Sequence, residues 1–330
     1  MAGVRLPDVP GISARPWRDD ADYAFAVELL NLEMRSVALD KLMTVKDIRN
    51  IWDNTPHLEL SKDSIFVEID AVPVGFALVR WQDESGSRVY RHQCFVHPDW
   101  RRRGVGTAML EWAVAHIRDA AAGHAVDRKV LRANVWRLPA PAADLLESFD
   151  YEVTDRFAEL IRPNLDKIPD SSLPDGVEIR PVEEAHLRQI FDADCEAFRG
   201  HWGYREDSAS EEDWRWFLEF PHRDESLWKI AWAGGRIVGQ VRGYINKAEN
   251  EAMNRRRGWC DEISTMRDYR RQGIATALIC ATLREFKVRG MTESALEVHV
   301  ENENQALRFY TSLGFEVDSQ SAIYQKALEL

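Results

Sequence analysis

Apolar residues along the chain follow two patterns, one typical of strands and one typical of amphipathic helices. Alternating or continuous apolar runs predict strands at 64–69, 72–79, 89–96, 227–233, 236–244, 263–266 and 293–300. Apolar residues at helical spacing predict helices at 19–30, 107–117, 183–198, 276–286 and 304–313. Gly234 and Gly235 separate two strands and predict a hairpin turn. One order of strands and helices therefore occurs twice.

Short motifs repeat in the same way. Gly104 in R-R-R-G-V-G and Gly273 in R-R-Q-G-I-A lie 169 residues apart, and each motif leads into a predicted helix. The segments 12–16 and 177–181 both end in Arg-Pro, at an offset of 165 residues. A repeat of this length indicates two copies of one domain, because the repeats of solenoid proteins are far shorter.

A segment with turn-forming composition separates the two copies. Pro169 and Pro174 favour an irregular linker over residues 166–176. We therefore expect an N-terminal domain at 1–165 and a C-terminal domain at 177–330. A chain of 330 residues is long enough for two domains with a core each.

The glycine turns have a chemical implication. The first turn of a helix offers unpaired backbone N–H groups and the positive end of the helix dipole, which together favour pyrophosphate. Gly273 lacks a Cβ, so its backbone can approach a phosphate closely, and the small Ala275 lets the helix begin tightly. Such a turn alone is more often a simple connection between a strand and a helix.

A tyrosine near the C-terminus is a candidate proton donor. Tyr310 lies four residues before Gly314, which ends the predicted helix and precedes Phe315. A phenol with a pKa of about 10 can protonate a thiolate leaving group. The alternative for an isolated tyrosine is a place in the core of an amphipathic helix.

Taken together, these segments resemble the GNAT superfamily of acetyl-CoA-dependent N-acetyltransferases, and the tandem layout resembles that of mycothiol synthase. The resemblance implies an α+β (α/β) fold of two GNAT domains, each a twisted mixed, mostly antiparallel sheet flanked by helices. It implies acetyl transfer from acetyl-CoA to a primary amine, with Tyr310 protonating the coenzyme A thiolate. The cofactor-binding residues that it implies are Ile263, Thr265, Arg270, Arg271, Gln272, Gly273, Ile274, Ala275 and Asn302, and in the first copy Val96, Arg101, Arg103, Gly104 and Gly106.

The base and the acceptor pocket are less specific in the sequence. Asp261 matches the family base by spacing and Glu262 by residue type, and strand alternation places them on opposite faces. His201, Trp202 and Tyr204 follow the first helix of the second copy, where this family covers its acceptor site. Rings and carboxylates there could bind an amine. Asn302 could instead cap the last helix.

The first copy departs from the family pattern. When Asp150 is aligned with Gly314, Leu146 occupies the position of Tyr310 and cannot donate a proton. We expect catalysis in the second copy only. The rival hypotheses are a non-catalytic acyl-CoA-binding, sensory or structural protein, and a different acyl donor such as succinyl-CoA.

Charge and composition narrow the possible partners. The formal net charge of −12 disfavours nucleic acid. No apolar run reaches the roughly 18 residues of a membrane span, and the N-terminus lacks the apolar region of a signal peptide. The four scattered cysteines favour free thiols in a reducing cytoplasm, without a metal site. We expect a cytoplasmic monomer or homodimer that acts on a small-molecule or peptide amine.

Overall fold

The computed structural model describes residues 4–84, 86–205, 208–301 and 306–329. The chain divides into two compact units, a first unit of residues 1–155 with 321–330 and a second unit of residues 156–320. The expected domains were 1–165 and 177–330. The first unit instead ends at residue 155 and also includes residues 321–330, which were expected in the second domain. Residues 157–162 hydrogen-bond to a strand of the second unit, and residues 322–327 hydrogen-bond to a strand of the first.

The first unit combines a mixed sheet with helices. Its elements are β1 (Ile12–Pro16), α1 (Asp22–Ser36), α2 (Val45–Asp53), α3 (Leu60–Asp63), β2 (Ser64–Ile69), β3 (Val72–Glu84), β4 (Ser87–Val96), α4 (Val105–Ala122), β5 (Lys129–Val135) and α5 (Pro141–Ser148). The next strand, β6 (Glu152–Arg162), begins in this unit and ends in the other. The sheet order is β1-β2-β3-β4-β5, and the chain's last strand follows β5. Pairing is antiparallel except between β4 and β5.

The second unit repeats this plan. Its elements are β7 (Val177–Arg180), α6 (Leu187–Ala197), α7 (Glu211–Glu219), β8 (Trp228–Ala233), β9 (Arg236–Arg242), α8 (Lys247–Ala252), β10 (Arg257–Trp259), β11 (Ser264–Thr265), α9 (Ile274–Val288), β12 (Glu293–His299), α10 (Ala306–Ser312) and β13 (Glu316–Ala327), the last of which continues into the first unit. Strands β7, β8, β9 and β11 pair in antiparallel fashion, while β10 runs parallel to β12. The expected mixed, mostly antiparallel sheets flanked by helices are confirmed.

The helix after each glycine turn contributes buried side chains to the hydrophobic core of its unit. Val105, Met109 and Ile117 of α4 are at most 1% exposed, as are Leu278 and Phe286 of α9. An apolar stripe of this kind holds the helix against its sheet by the hydrophobic effect. Because α4 and α9 are fixed in this way, the turns that precede them are fixed too.

Most of the predicted elements are present, with shifted ends. The hairpin at Gly234-Gly235 and the helices after both glycine turns are confirmed. The strand expected at 263–266 is reduced to Ser264–Thr265, because the backbone turns away at Glu262, whose φ is 44°. Helix α1 starts later than expected and ends at Ser36. No helix in the described ranges is long and apolar enough to cross a membrane.

Candidate active site

A cavity of about 540 Å³ in the second unit lies beside the glycine turn that precedes α9. The structure brings together in its wall Ile263, Thr265, Arg270, Arg271, Gly273, Ile274, Ala275, Tyr310 and His201, all of them named from the sequence. Gln272 belongs to the same turn but does not line the cavity, because its amide bonds to the carbonyl of Asp268. Asn302 lies outside the described residues.

The turn has the backbone of an anion-binding concavity. Gly273 has a φ of 83° and precedes the first residue of α9, and Arg271 also lies in the left-handed region with a φ of 62°. Successive N–H groups in such a turn point to one side and favour an anion. A Cβ added to Gly273 would meet no atom of the described residues within 4 Å. The turn therefore presents open backbone, as a pyrophosphate group requires.

Arg270 and Thr265 place polar side-chain atoms in the cavity wall. Arg270 donates to the carbonyl oxygen of Thr265 at 3.1 Å, which ties the turn to β11. Among the described residues, the hydroxyl of Thr265 is buried without a hydrogen-bond partner. An unsatisfied buried hydroxyl costs free energy, so a polar group of a bound ligand would stabilise this wall.

The sheet opens next to the cavity. Strand β10 pairs with β12, whereas β11 pairs with β9 on the other side. The residues between β10 and β11 therefore leave one partner for the other, and Glu262, with its positive φ, stands at the point of divergence. Backbone near Ile263 is free to contact an extended ligand in this opening. Strained backbone of this type is concentrated at functional sites.

Tyr310 reaches the cavity from the last helix. The residue is 8% exposed and packs on Phe315, whose N–H donates to the Tyr310 carbonyl at 3.2 Å. Gly314 makes this helix end possible with a φ of 83°. Burial raises the pKa of the Tyr310 phenol well above its usual value. The phenol is therefore protonated at neutral pH.

The two acidic candidates differ in their surroundings. Glu262 lies 3.3 Å from the guanidinium of Arg242. Asp261 is solvent-exposed, and partial desolvation by nearby protein atoms together with the Glu262 charge raises its pKa to about 7. Both residues line a recess of about 20 Å³, which has room for one water molecule.

A buried polar network behind Glu262 was not predicted. The carboxyl of Asp194 contacts Arg242 at 2.6 Å and accepts from Gln240 at 2.7 Å and Ser264 at 3.3 Å. Burial raises the pKa of Asp194 well above its usual value, although Arg242 opposes the shift. The sequence signal for this network is a charged residue in each of two apolar segments, Asp194 within the apolar stripe of α6 and Arg242 at the end of β9.

A second cavity of about 260 Å³ adjoins the first. His201 and Phe198 line both of them, while Trp202, Tyr204 and Glu262 line the second alone. The aromatic residues predicted from the sequence therefore lie near the diverging strands. His201 shares a cavity with the glycine turn, whereas Trp202 and Tyr204 do not. Asp261 lines neither of the two cavities.

The first unit has a corresponding cavity of about 210 Å³. Val96, Arg101, Gly104 and Gly106 line it, and Arg103 instead stacks over Trp100. The turn repeats the backbone of the second unit, with a φ of 60° at Arg102 and 84° at Gly104.

Two contacts distinguish this first-unit turn. Arg101 is paired with Glu33 at 2.6 Å. Pro7 lies against the turn, 3.1 Å from where a Cβ on Gly104 would be. The open backbone seen at Gly273 is therefore partly covered here.

The end of α5 shows what replaces the tyrosine. The Tyr151 N–H donates to the Leu146 carbonyl at 3.1 Å, as Phe315 does to Tyr310. Asp150 takes the left-handed conformation of Gly314, with a φ of 58°. Leu146 lines the first cavity. The first unit thus has a similar pocket in which an alkyl side chain stands in place of the phenol.

Comparison with known proteins agrees with this geometry. The model of the acetyltransferase (GNAT) family matches residues 25–137 and 187–315, which together exceed half of the chain. The chain belongs to the GNAT acetyltransferase family. One match lies in each half, so the GNAT domain is present twice.

A curated relative and two solved structures are similar to this GNAT chain. N-alpha-acetyltransferase 30 of Schizosaccharomyces pombe is 36% identical over 96 residues, which are 29% of this chain and 61% of that protein. A GCN5-related N-acetyltransferase from Sphaerobacter thermophilus has a TM-score of 0.71 at 22% identity, covering 98% of this chain and 99% of that one. A tandem GNAT protein from the clavulanic acid biosynthesis pathway has a TM-score of 0.67 at 16% identity, covering 96% and 98%. At these identities the two structures establish the fold.

Proposed function

We propose that the second unit transfers the acetyl group of acetyl-CoA to a primary amine. The observation that supports this most is one cavity wall that contains both an open glycine turn at a helix N-terminus and the buried phenol of Tyr310. The turn suits a pyrophosphate, the orphaned Thr265 hydroxyl suits an amide of an extended chain, and Tyr310 suits a thiolate. Acetyl-CoA contains all three groups and supplies the reactive thioester.

Each residue then has a defined task. Asp261 accepts a proton from the ammonium through a water in the adjoining recess, so that the amine nitrogen can bond to the acetyl carbon. Backbone N–H groups near Ile263 stabilise the negative charge that develops on the carbonyl oxygen. Tyr310 gives its proton to the sulfur as the carbon–sulfur bond breaks, and the second nitrogen proton, released as the amide forms, leaves through water and restores the phenol. Glu262 and Arg242 hold the diverging strand and one wall of the acceptor cavity.

The first unit has a structural or ligand-holding role in this proposal. Leu146 offers no proton to a thiolate, and Arg101 is already engaged by Glu33. A chain with one catalytic and one non-catalytic copy follows from these two differences.

Asp261 should give the reaction a characteristic pH dependence. A base with a pKa of about 7 is protonated and inactive in acid, so kcat at saturating acceptor should rise with pH and level off above neutrality. Asp261→Asn should lower kcat by roughly 10²–10⁴ and remove this rise. Glu262→Gln is the matched control and should keep the rise, displaced to lower pH because the charge that helps to raise the Asp261 pKa is gone. A flat profile in Glu262→Gln with an unchanged one in Asp261→Asn would assign the base to Glu262.

The function itself can be tested by an acceptor panel. Release of free thiol from acetyl-CoA should depend on an amine acceptor, and mass spectrometry should show the amine gaining one acetyl group. The panel needs to contain peptides with a free N-terminus, because the similar Schizosaccharomyces pombe protein is named as an N-alpha-acetyltransferase. Binding of acetyl-CoA without acetylation of any amine would favour the acyl-CoA-binding, non-catalytic alternative.

A further inference from the structure

The second cavity of the second unit has mainly aromatic walls. Among the described residues its lining contains the imidazole of His201 and six Phe, Trp or Tyr rings, those of Phe191, Phe198, Trp202, Tyr204, Trp216 and Phe217. Several of them are packed against further rings, as Phe191 is on Phe217 at 5.5 Å and Trp202 on Phe157 at 5.0 Å. Packed rings provide a rigid apolar surface that loses little entropy on binding. The volume of about 260 Å³ suits a small molecule.

Each cation in this wall is already neutralised by a carboxylate. Among the described lining residues the cations are Arg205 and Arg242. Arg205 makes two bonds to Asp213, of 3.0 and 3.2 Å, and Ser210 fixes that carboxylate at the start of α7. Arg242 contacts Asp194 at 2.6 Å and Glu262 at 3.3 Å.

Within the described lining, Arg242 and His201 do not offer an available positive charge either. The faces of the Arg242 guanidinium are covered by the rings of Phe217 and Trp228, at 5.0 and 5.8 Å. Even with a proton on Asp194, Glu262 neutralises Arg242. Burial and nearby Arg270 lower the pKa of His201, which is therefore neutral at pH 7.

These observations decide which acceptors can enter. A carboxylate or phosphate on the acceptor would be buried among rings, and to be paired it would have to displace Asp213 or Glu262. Burying an unpaired charge is costly. An ammonium group, in contrast, meets ring faces, which attract a cation without a separate counter-ion.

We propose that the acceptor is a small primary amine on an aromatic or apolar body, without an anionic group beside the amine. This inference rests on the proposed acetyl transfer and specifies its substrate class. The nitrogen forms a bond to the acetyl carbon while the bond from that carbon to sulfur breaks. One ammonium proton goes to the base before the attack and from there to solvent. The thiolate receives the Tyr310 proton, and the second nitrogen proton, released as the amide forms, leaves through water and restores the Tyr310 phenol.

A matched pair of amines tests this substrate class. Tyramine and tyrosine share the ring and the amine, and tyrosine adds a carboxylate next to the nitrogen. With the full-length protein and acetyl-CoA, kcat/KM for tyramine should exceed that for tyrosine by at least about 100-fold, as expected for an unpaired buried charge. Phenethylamine should exceed phenylalanine similarly. Spermidine, an aminoglycoside and a peptide with a free N-terminus complete the panel.

A variant should reverse part of this preference. Tyr204→Arg adds a cation to the cavity wall and should lower the tyramine-to-tyrosine ratio at least ~10-fold, by pairing the tyrosine carboxylate. Phe25→Arg also replaces an aromatic side chain by arginine, at a position in the first unit that is 40% exposed. This variant should leave the ratio unchanged. Acetyl-CoA affinity, measured for both variants by calorimetry, checks that each remains folded.

The possible failures are distinguishable. Equal rates for tyramine and tyrosine would overturn the substrate class and leave acetyl transfer intact. So would Tyr310-dependent acetylation that favours spermidine, the aminoglycoside or the peptide. An unchanged ratio in folded Tyr204→Arg would contradict the argument from neutralised cations. If no amine in the panel is acetylated while acetyl-CoA still binds, both the substrate class and the proposed function fail.

Discussion

Tyr310→Phe should lower kcat by roughly 10²–10⁴, the contribution usually attributed to a positioned general acid. The ring stays in its buried place against Phe315 and only the hydroxyl is lost. The affinity for acetyl-CoA should therefore change little, because the removed group acts on the departing sulfur. Steady-state thiol release gives kcat, and calorimetric titration gives the affinity.

Tyr324→Phe is a suitable control for this variant. It removes the hydroxyl of another buried tyrosine, which bonds to Glu147 in the first unit, and it should leave kcat unchanged. An undiminished kcat in Tyr310→Phe would show that water or another residue protonates the thiolate. A parallel loss in both variants would indicate a general effect on folding.

Gly273→Val should remove most of the affinity of the second unit for acetyl-CoA while the protein stays folded. No atom in the part of the chain that the structure describes lies within 4 Å of the new Cβ, so no clash is expected in the free protein. However, a β-branched residue is strained at a φ of 83° and will move the turn away from its anion-binding form. Binding would have to restore that form at a cost of about 1–3 kcal/mol, which corresponds to a loss of roughly 10–100-fold in affinity.

Gly290→Val separates strain from ligand binding. Gly290 follows the other end of α9 with a φ of 80°, and a Cβ there also meets nothing within 4 Å. The same strain arises far from the cavity, so calorimetry should show wild-type affinity. Unchanged affinity in Gly273→Val would remove the basis for assigning the pyrophosphate to this turn.

Local signals were sufficient for the glycine turns and the tyrosine. Gly104 and Gly273 adopt positive φ angles at the start of a helix, which is a property that glycine itself favours. Tyr310 could be placed because Gly314 marks the end of its helix four residues later. In each case the sequence neighbours determine the conformation.

Features that depend on distant segments could not be predicted in this way. Residues 157–162 pair with β12, and residues 322–327 with β5, and no local pattern states which strand another will join. The Asp194–Arg242 pair forms only when α6 packs on β9. Trp202 lies in the segment after α6 and lines the second cavity together with Glu262. Its separation from the glycine turn likewise depends on the tertiary fold of that segment.

The most direct test of a single catalytic copy compares turnover in Gly104→Val and Gly273→Val. Both turns have the same backbone conformation, so the two substitutions introduce similar backbone strain in equivalent places, with an added contact to Pro7 at Gly104. Only the second unit has the phenol of Tyr310 in its cavity, where the first has Leu146. With a productive amine and acetyl-CoA held well below its wild-type KM, steady-state thiol release should persist largely undiminished in Gly104→Val and fall roughly 10–100-fold in Gly273→Val. An inactive Gly104→Val beside an active Gly273→Val would show that the catalytic copy has been assigned to the wrong half of the chain.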